Sequence, residues 1–282
     1  MSEPSRIRIE RPARAVTRVV LARSEKRNAQ DKLLLYELDK AFVAAMQDDD
    51  MRVVILAADG PDFSSGHDMS AKPEEQPDFG PIIATGGFAQ PGQHGHMARE
   101  EDVFLGLCWR WRNLPKPTIA QVQGRAIGPA LMLIWPMDLV VAAESATFND
   151  PGVSFGVCGH EFFLHAWEFG PRKAKELLFT GATVTAAECK GLGMVNHVVP
   201  DDELERFTLD LACQIATRPP FGLKLAKLAV NQSLDAQGQY TAVNAAFALH
   251  HLGHANSAMV HGYPSEPEAA ETVRHEVATP AE

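Results

Sequence analysis

The chain is short of cysteine, of positive charge and of long apolar runs, and each shortage excludes a class of protein. Four cysteines, Cys108, Cys158, Cys189 and Cys213, are scattered without a C-x-x-C pair. That pattern argues against a disulfide framework and a cysteine-built zinc site, and suits isolated thiols in a reducing cytosol. Lysine and arginine number 26 against 36 aspartates and glutamates, a net charge of −10. Such a chain has no overall attraction for nucleic acid or an anionic membrane, so a polyanionic ligand would need a local basic patch. The most apolar stretch, Ala126 to Ala143, is broken by Pro129, Pro136 and Asp138 and is too short to cross a bilayer. Met1 to Arg14 is charged and lacks an apolar core, so no signal peptide is expected and the expected location is cytoplasmic.

What is present reads as a globular α/β chain long enough for a large core. Val16 to Ala22 is rich in β-branched residues and predicts a strand. Leu34, Leu35, Leu38, Phe42 and Ala45 recur at helical spacing after Asp31 or Asn28, either of which could cap the helix. Met51 to Ala57 is a continuous apolar run, as in a strand buried on both faces. Further strands are expected at Thr118 to Gly124, Asp138 to Ala142 and Met194 to Val199. Helices are expected at Glu101 to Asn113, Pro171 to Thr180, Asp201 to Thr217, Gly222 to Leu234 and Ala236 to His254. Residues 70–100 are rich in proline and glycine and read as a variable loop. Within it, His94 and His96 have no third or fourth metal ligand nearby in sequence, so no metal is expected. His250, His251, His254 and His261 read as surface or interface histidines, and residues 257–282 as a fraying tail.

Several segments, taken in order, resemble the crotonase (enoyl-CoA hydratase/isomerase) superfamily. They are Ser24-Glu25-Lys26-Arg27-Asn28-Ala29, Val53 to Leu56 with Phe63 to Met69, and Ile119 to Gly124 with Gly128-Pro129-Ala130. Asp138 to Ala143, Ala146 to Phe148 and Gly191 to Val195 follow in the same order, so the likeness spans about residues 15–230. The resemblance implies a ββα spiral over residues 1–200 and a C-terminal helical trimerisation region over 201–256. It also implies a homotrimer or a dimer of trimers. The ligand would be an acyl-CoA thioester, with CoA as part of the substrate and no separate cofactor. Two backbone N–H groups would face the thioester oxygen, at His67 and at position 129. Lys26, Arg27, Ala29, Ser65, His67, Asp68 and Met69 would contact the CoA ester, with Lys26 and Arg27 supplying charge for its phosphates and Asp68 fixing its loop.

The sequence departs from that pattern where the chemistry is decided. Proline at 129 has no N–H to donate, so the second donor is missing unless a shift of one residue lets Gly128 or Ala130 take its place. The two glutamates of the hydratase pattern fall on Met132 and Gly152, neither of which can move a proton, so hydration by two glutamates is not expected. The nearby Gly156-Val157-Cys158-Gly159-His160-Glu161 reads as an active-site wall leading into a helix near His160. Glu161 is the first candidate for acid–base work and His160 the second. Three activities remain open: an enoyl-CoA lyase or isomerase, a decarboxylase or thioesterase aided by His67, and a non-catalytic acyl-CoA binder.

Overall fold

The computed structural model describes residues 5–70, 80–83 and 85–278, with the side chains of 274–278 left aside. The strands are β1 (Ile7–Ala13), β2 (Val16–Leu21), β3 (Val53–Ala58), β4 (Thr118–Val122), β5 (Arg125–Ile127), β6 (Leu139–Ala143), β7 (Thr147–Asn149), β8 (Val184–Thr185) and β9 (His197–Val199). The first six helices are α1 (Lys32–Gln47), α2 (Gly92–Glu100), α3 (Leu107–Arg112), α4 (Leu131–Ile134), α5 (His165–Glu168) and α6 (Gly170–Thr180). The others are α7 (Ala186–Leu192), α8 (Leu204–Ala216), α9 (Pro220–Ala236), α10 (Gln239–His261) and α11 (Ala269–Ala278).

One sheet has the order β1-β2-β3-β4-β6-β9, and a second has the order β5-β7-β8. The first hairpin, β1 on β2, is antiparallel; every later pairing in the large sheet is parallel. The apolar run of β3 follows from this topology. β3 pairs with β2 on one side and β4 on the other, and helices cover the sheet, so five of its six residues are buried. Helix α1 begins at Asp31, whose carboxylate accepts the Leu34 N–H at 2.8 Å. The alternative cap, Asn28, instead ties two loops together by donating to the carbonyls of Asp59 and Asp62. The face of α1 bearing Leu34, Leu38 and Phe42 is fully buried.

Three expectations change. Residues 70–100 are not all irregular: 92–100 form α2, capped from Pro91, while 71–79 and 84 lie outside the described residues. The helix expected from Glu101 opens with a π-helical turn, Glu101–Gly106, before α3. Past Asn256 the chain continues α10 to His261, and α11 then packs on the turn Gly152–Phe155. Among the described residues no helix is long and apolar enough to cross a membrane. The four cysteines are free.

Candidate functional site

The site begins with the loop Phe63–Met69. Phe63 and Ser64 are fully buried and anchor it. Ser64 Oγ donates to the Asn28 carbonyl at 2.8 Å and accepts the Gly66 N–H at 3.2 Å. The Ser65 N–H goes to Arg27 O at 3.0 Å and the Asp68 N–H to Gln30 O at 2.9 Å. The N–H groups on either side of His67 are therefore spent. That of His67 itself points away from the Gln30 side of this parallel bridge and has no recorded partner among the described residues. Gly66 lies at φ +84°, and a Cβ there would stand 2.8 Å from Ile127 O and 3.0 Å from Pro129 Cδ. Only glycine allows the two loops to close this far.

The second loop follows β5. Gly128, at φ +51°, opens a 3-10 turn, Gly128–Ala130, and the Pro129 carbonyl accepts from Gln30 Nε2 at 3.0 Å. Both loops face a cavity of about 270 Å³ whose wall includes Ser65, His67, Met69, Pro129, His160 and Glu161. His160 and Glu161 are held there by their neighbours in the chain, Phe162 and Leu164, which are buried in the core.

His67 and Glu161 meet in this cavity, Nε2 to Oε1 at 3.0 Å. The imidazole also stacks on Phe104 of the π turn, with ring centres 4.2 Å apart. Burial works against both charges. For His67 the charge and hydrogen bond of Glu161 outweigh it and raise the imidazole above its ordinary value. For Glu161 burial is likewise outweighed, by the His67 charge and hydrogen bond, and the carboxyl is held well below its usual range. Each group thus favours the charged form of the other. His160 differs: burial pushes it down to about 3, so its ring is neutral, and neither ring nitrogen has a partner among the described residues. Asp150 braces the wall, accepting Gly152 N–H at 2.8 Å, His160 N–H at 2.9 Å and His165 Nε2 at 2.8 Å.

The other expected residues divide. Ser65 and Met69 line the cavity, whereas Lys26, Arg27, Ala29 and Asp68 do not. Lys26 and Arg27 are exposed on the turn after β2, Ala29 is buried behind it, and Asp68 is bonded to Arg23 at 2.7 Å and to Ser70. Met132 is buried in α4 away from the cavity. Gly152 reaches the cavity, but a Cβ there would lie 2.7 Å from Gly159 Cα, so the turn has no room for a glutamate. The helix expected near His160 begins only at His165, so Glu161 is not a first-turn helix carboxylate.

The C-terminal histidines are corrected more sharply. His250 and His251 are 3% exposed, and His250 and His254 line the same cavity as His67. Gly253 makes this possible: a Cβ there would meet Gly156 O at 2.4 Å, so α10 lies directly against the glycine turn. His96 and Glu100 of α2 also reach this wall. The missed signal was spacing, because His96 and Glu100, like His250 and His254, are four residues apart and share a helix face.

Residues 11–263 match the family model described as Enoyl-CoA hydratase/isomerase. A Mycobacterium tuberculosis protein whose name, EchA13, places it among the enoyl-CoA hydratases is 43% identical over 253 residues, covering 88% of this chain and 80% of the relative. A Mycobacterium smegmatis crystal structure described as a probable enoyl-CoA hydratase superposes with a TM-score of 0.84 at 43% identity, covering 92% of this chain and 99% of that one. A Xanthobacter autotrophicus enoyl-CoA hydratase/isomerase structure gives 0.80 at 30% identity, covering 98% and 99%. The crotonase-type α/β spiral with C-terminal helices, expected from the sequence, is the fold of these neighbours.

Proposed function

The chain belongs to the enoyl-CoA hydratase/isomerase family, and from that membership we propose that it moves a proton next to an acyl-CoA thioester. The thioester oxygen would rest on the His67 N–H, and Glu161 would carry the proton. One observation bears most of the weight: an N–H with no partner among the described residues and a buried carboxylate belong to the same short stretch of cavity wall, joined through the His67 ring at 3.0 Å. Removing a proton beside a thioester places negative charge on its oxygen, and a fixed N–H aimed there stabilises that charge. Glu161 would take the proton. Once an acyl chain displaces water from the cavity, the carboxylate becomes a stronger base, because further desolvation penalises its charged form.

A single carboxylate can return the proton to another carbon. Hydration also needs a group to activate water, and Met132 and Gly152 stand where the hydratase glutamates would be. The reading therefore favours double-bond isomerisation or another one-base reaction. His67 Nδ1, buried with no partner among the described residues, supports a second reading in which the ring aids decarboxylation or hydrolysis of a thioester. The test is solvent exchange: a panel of enoyl-, malonyl- and aryl-CoA esters is incubated in D₂O and read by mass spectrometry. Deuterium entering an enoyl-CoA ester supports the proposal. Carbon dioxide released from a malonyl ester, its place in the product taken by a solvent deuteron, or free CoA released by hydrolysis, with no deuterium entering the enoyl esters, supports the second reading, and an unchanged panel contradicts both.

Proline at 129 leaves the oxyanion position with one donor fewer. Pro129→Gly restores an N–H, and removing such a donor elsewhere costs roughly 10²–10³ in rate. The variant is expected to raise kcat by about 10-fold or more. A rate that stays level or falls would show that position 129 does not face the oxygen.

The expected assembly, a homotrimer or dimer of trimers, is proposed to form through α9 and α10. Helix α9 buries no residue, and Phe221, Leu225 and Val230 on it and Leu249, Leu252 and Met259 on α10 are exposed. Light scattering on the 30.7 kDa chain should give a mass of three or six copies, and a monomer would refute the assembly. A cytoplasmic location fits the free thiols.

A further inference from the structure

The histidines of α2 and α10 have no place in that proton transfer, yet they point lone pairs at one another. His250 Nδ1 lies 2.7 Å from the Gly159 carbonyl, and His254 Nδ1 is bonded to the Pro264 carbonyl. A carbonyl only accepts, so each Nδ1 carries a hydrogen, and each neutral ring then presents a bare lone pair at Nε2. These two Nε2 atoms are 2.8 Å apart. Two lone pairs at that distance repel, and the arrangement calls for a cation shared between them.

A proton would serve the pair alone, but more donors converge here than one proton can use. His96, Glu100 and His254 have ligand atoms within 4.8 Å of one another, and so do Glu100, His250 and Glu161, so that Glu100 joins the two sets and His250 reaches the first through His254. Glu100 Oε1 lies 2.8 Å from His96 Nε2, and Oε2 lies 3.7 Å from His250 Nε2. That Oε2 is buried and makes no well-aligned hydrogen bond among the described residues, although His251 Nε2 lies 3.4 Å from it. Ligands held about 2.0–2.2 Å from a zinc-like ion stand roughly 3.0–3.5 Å from one another. The separations of 2.8 and 3.7 Å bracket that range. We propose that His96, Glu100, His250 and His254 form a site for one divalent transition-metal ion of the zinc class in the cavity wall.

The donor set selects the ion. Three imidazoles and one carboxylate suit zinc, cobalt, nickel or iron, and do not suit magnesium or calcium, which prefer oxygen. The carbonyls on both Nδ1 atoms are the supporting partners that metal-bound histidines use to fix their tautomer. The ligands come as two pairs, each spaced by four residues, on two helices that the fold packs together. Glu161, 3.8 Å from His250 Nε2, stays on the His67 side.

The test uses the full-length, tag-free protein, treated with chelator and then titrated with Zn²⁺ in a calorimeter, with elemental analysis of the untreated protein beside it. One Zn²⁺ per chain is expected, with Kd below about 1 µM, and Co²⁺ loading should give the visible absorption of a nitrogen-ligated ion. His96→Ala and Glu100→Gln, checked for fold by circular dichroism, should each weaken binding more than about 100-fold, beyond the 10–100-fold of a lost supporting partner. His261→Ala, in a residue paired with Glu266 away from the cluster, should leave binding unchanged. Failure of the wild-type protein to bind stoichiometric Zn²⁺ would mean that the histidine pair shares only a proton, and would overturn the site. Binding that survives both substitutions would overturn it too.

Discussion

Glu161→Gln is expected to lower proton exchange and turnover of an enoyl-CoA ester by roughly 10²–10⁴-fold, the usual contribution of a positioned acid–base group. Affinity for the CoA ester should change by no more than a few-fold. Glutamine keeps the size of the side chain and can still bond to the His67 ring, now at 3.0 Å from Oε1, so the cavity wall is preserved. What it loses is the ability to accept a proton. His67 would lose its counter-charge, and its proton affinity should fall, because Glu161 is what raises it against burial. Stopped-flow rates with the ester, read against a separate binding titration, separate the two effects. A variant that keeps its rate would move the proton transfer to another group.

Asp150→Asn is expected to destabilise the fold by about 3 kcal/mol, the scale of a buried carboxylate's charge-assisted bonds with a donor left unmatched. For a chain of this size that corresponds to a fall in Tm on the order of 10 °C. Asp150 is buried and accepts three donors, from Gly152, His160 and His165. An amide offers one oxygen and turns an NH₂ toward at least one of those N–H groups. The pH dependence follows from the carboxyl. Burial alone would raise it, but the His165 hydrogen bond and the other donors hold it below its ordinary 3.8. The unfolded chain therefore takes up this proton first as pH falls. The advantage of aspartate over asparagine is fully present at neutral pH; it begins to shrink below about pH 4, as the unfolded chain's carboxyl takes up its proton, and is gone only once pH has fallen through the much lower folded value. Calorimetric Tm values for both proteins between pH 7 and pH 3 should keep a constant gap down to about pH 4 and draw closer below it. A constant gap would mean that the fold does not shift the Asp150 carboxyl, and a gap that widens toward acid would mean that it is protonated in the fold.

How much of this was legible in the sequence depended on whether the signal was local. The apolar run of β3 and the heptad-like leucines of α1 state their own burial, and both formed where expected. The need for glycine before His67 emerged only from the structure, where a Cβ at Gly66 would stand 2.8 Å from Ile127 O on the second loop. His67, His160 and Glu161 could be named from their loops and do share one cavity. The partners of that cavity could not be read the same way. His96 lies in a stretch whose prolines and glycines hid α2, and His250 lies about 150 residues further on, on a helix whose buried face passes from Val243 and Phe247 to histidine at 250 and 251. An apolar periodicity announces a buried face; a buried face made of histidine and glutamate does not, and only the packing of α10 on α2 brings it to the site.

The central claim is that the His67 N–H holds a thioester oxygen while Glu161 faces the carbon beside it. A crystal structure with a non-reactive acyl-CoA thioether or saturated thioester tests it most directly. The account predicts a carbonyl oxygen about 2.7–3.1 Å from the His67 nitrogen, the adjacent carbon within reach of Glu161, and phosphates beside Lys26 and Arg27. An oxygen turned away from His67, or an acyl chain that leaves the Glu161 side of the cavity empty, would contradict it.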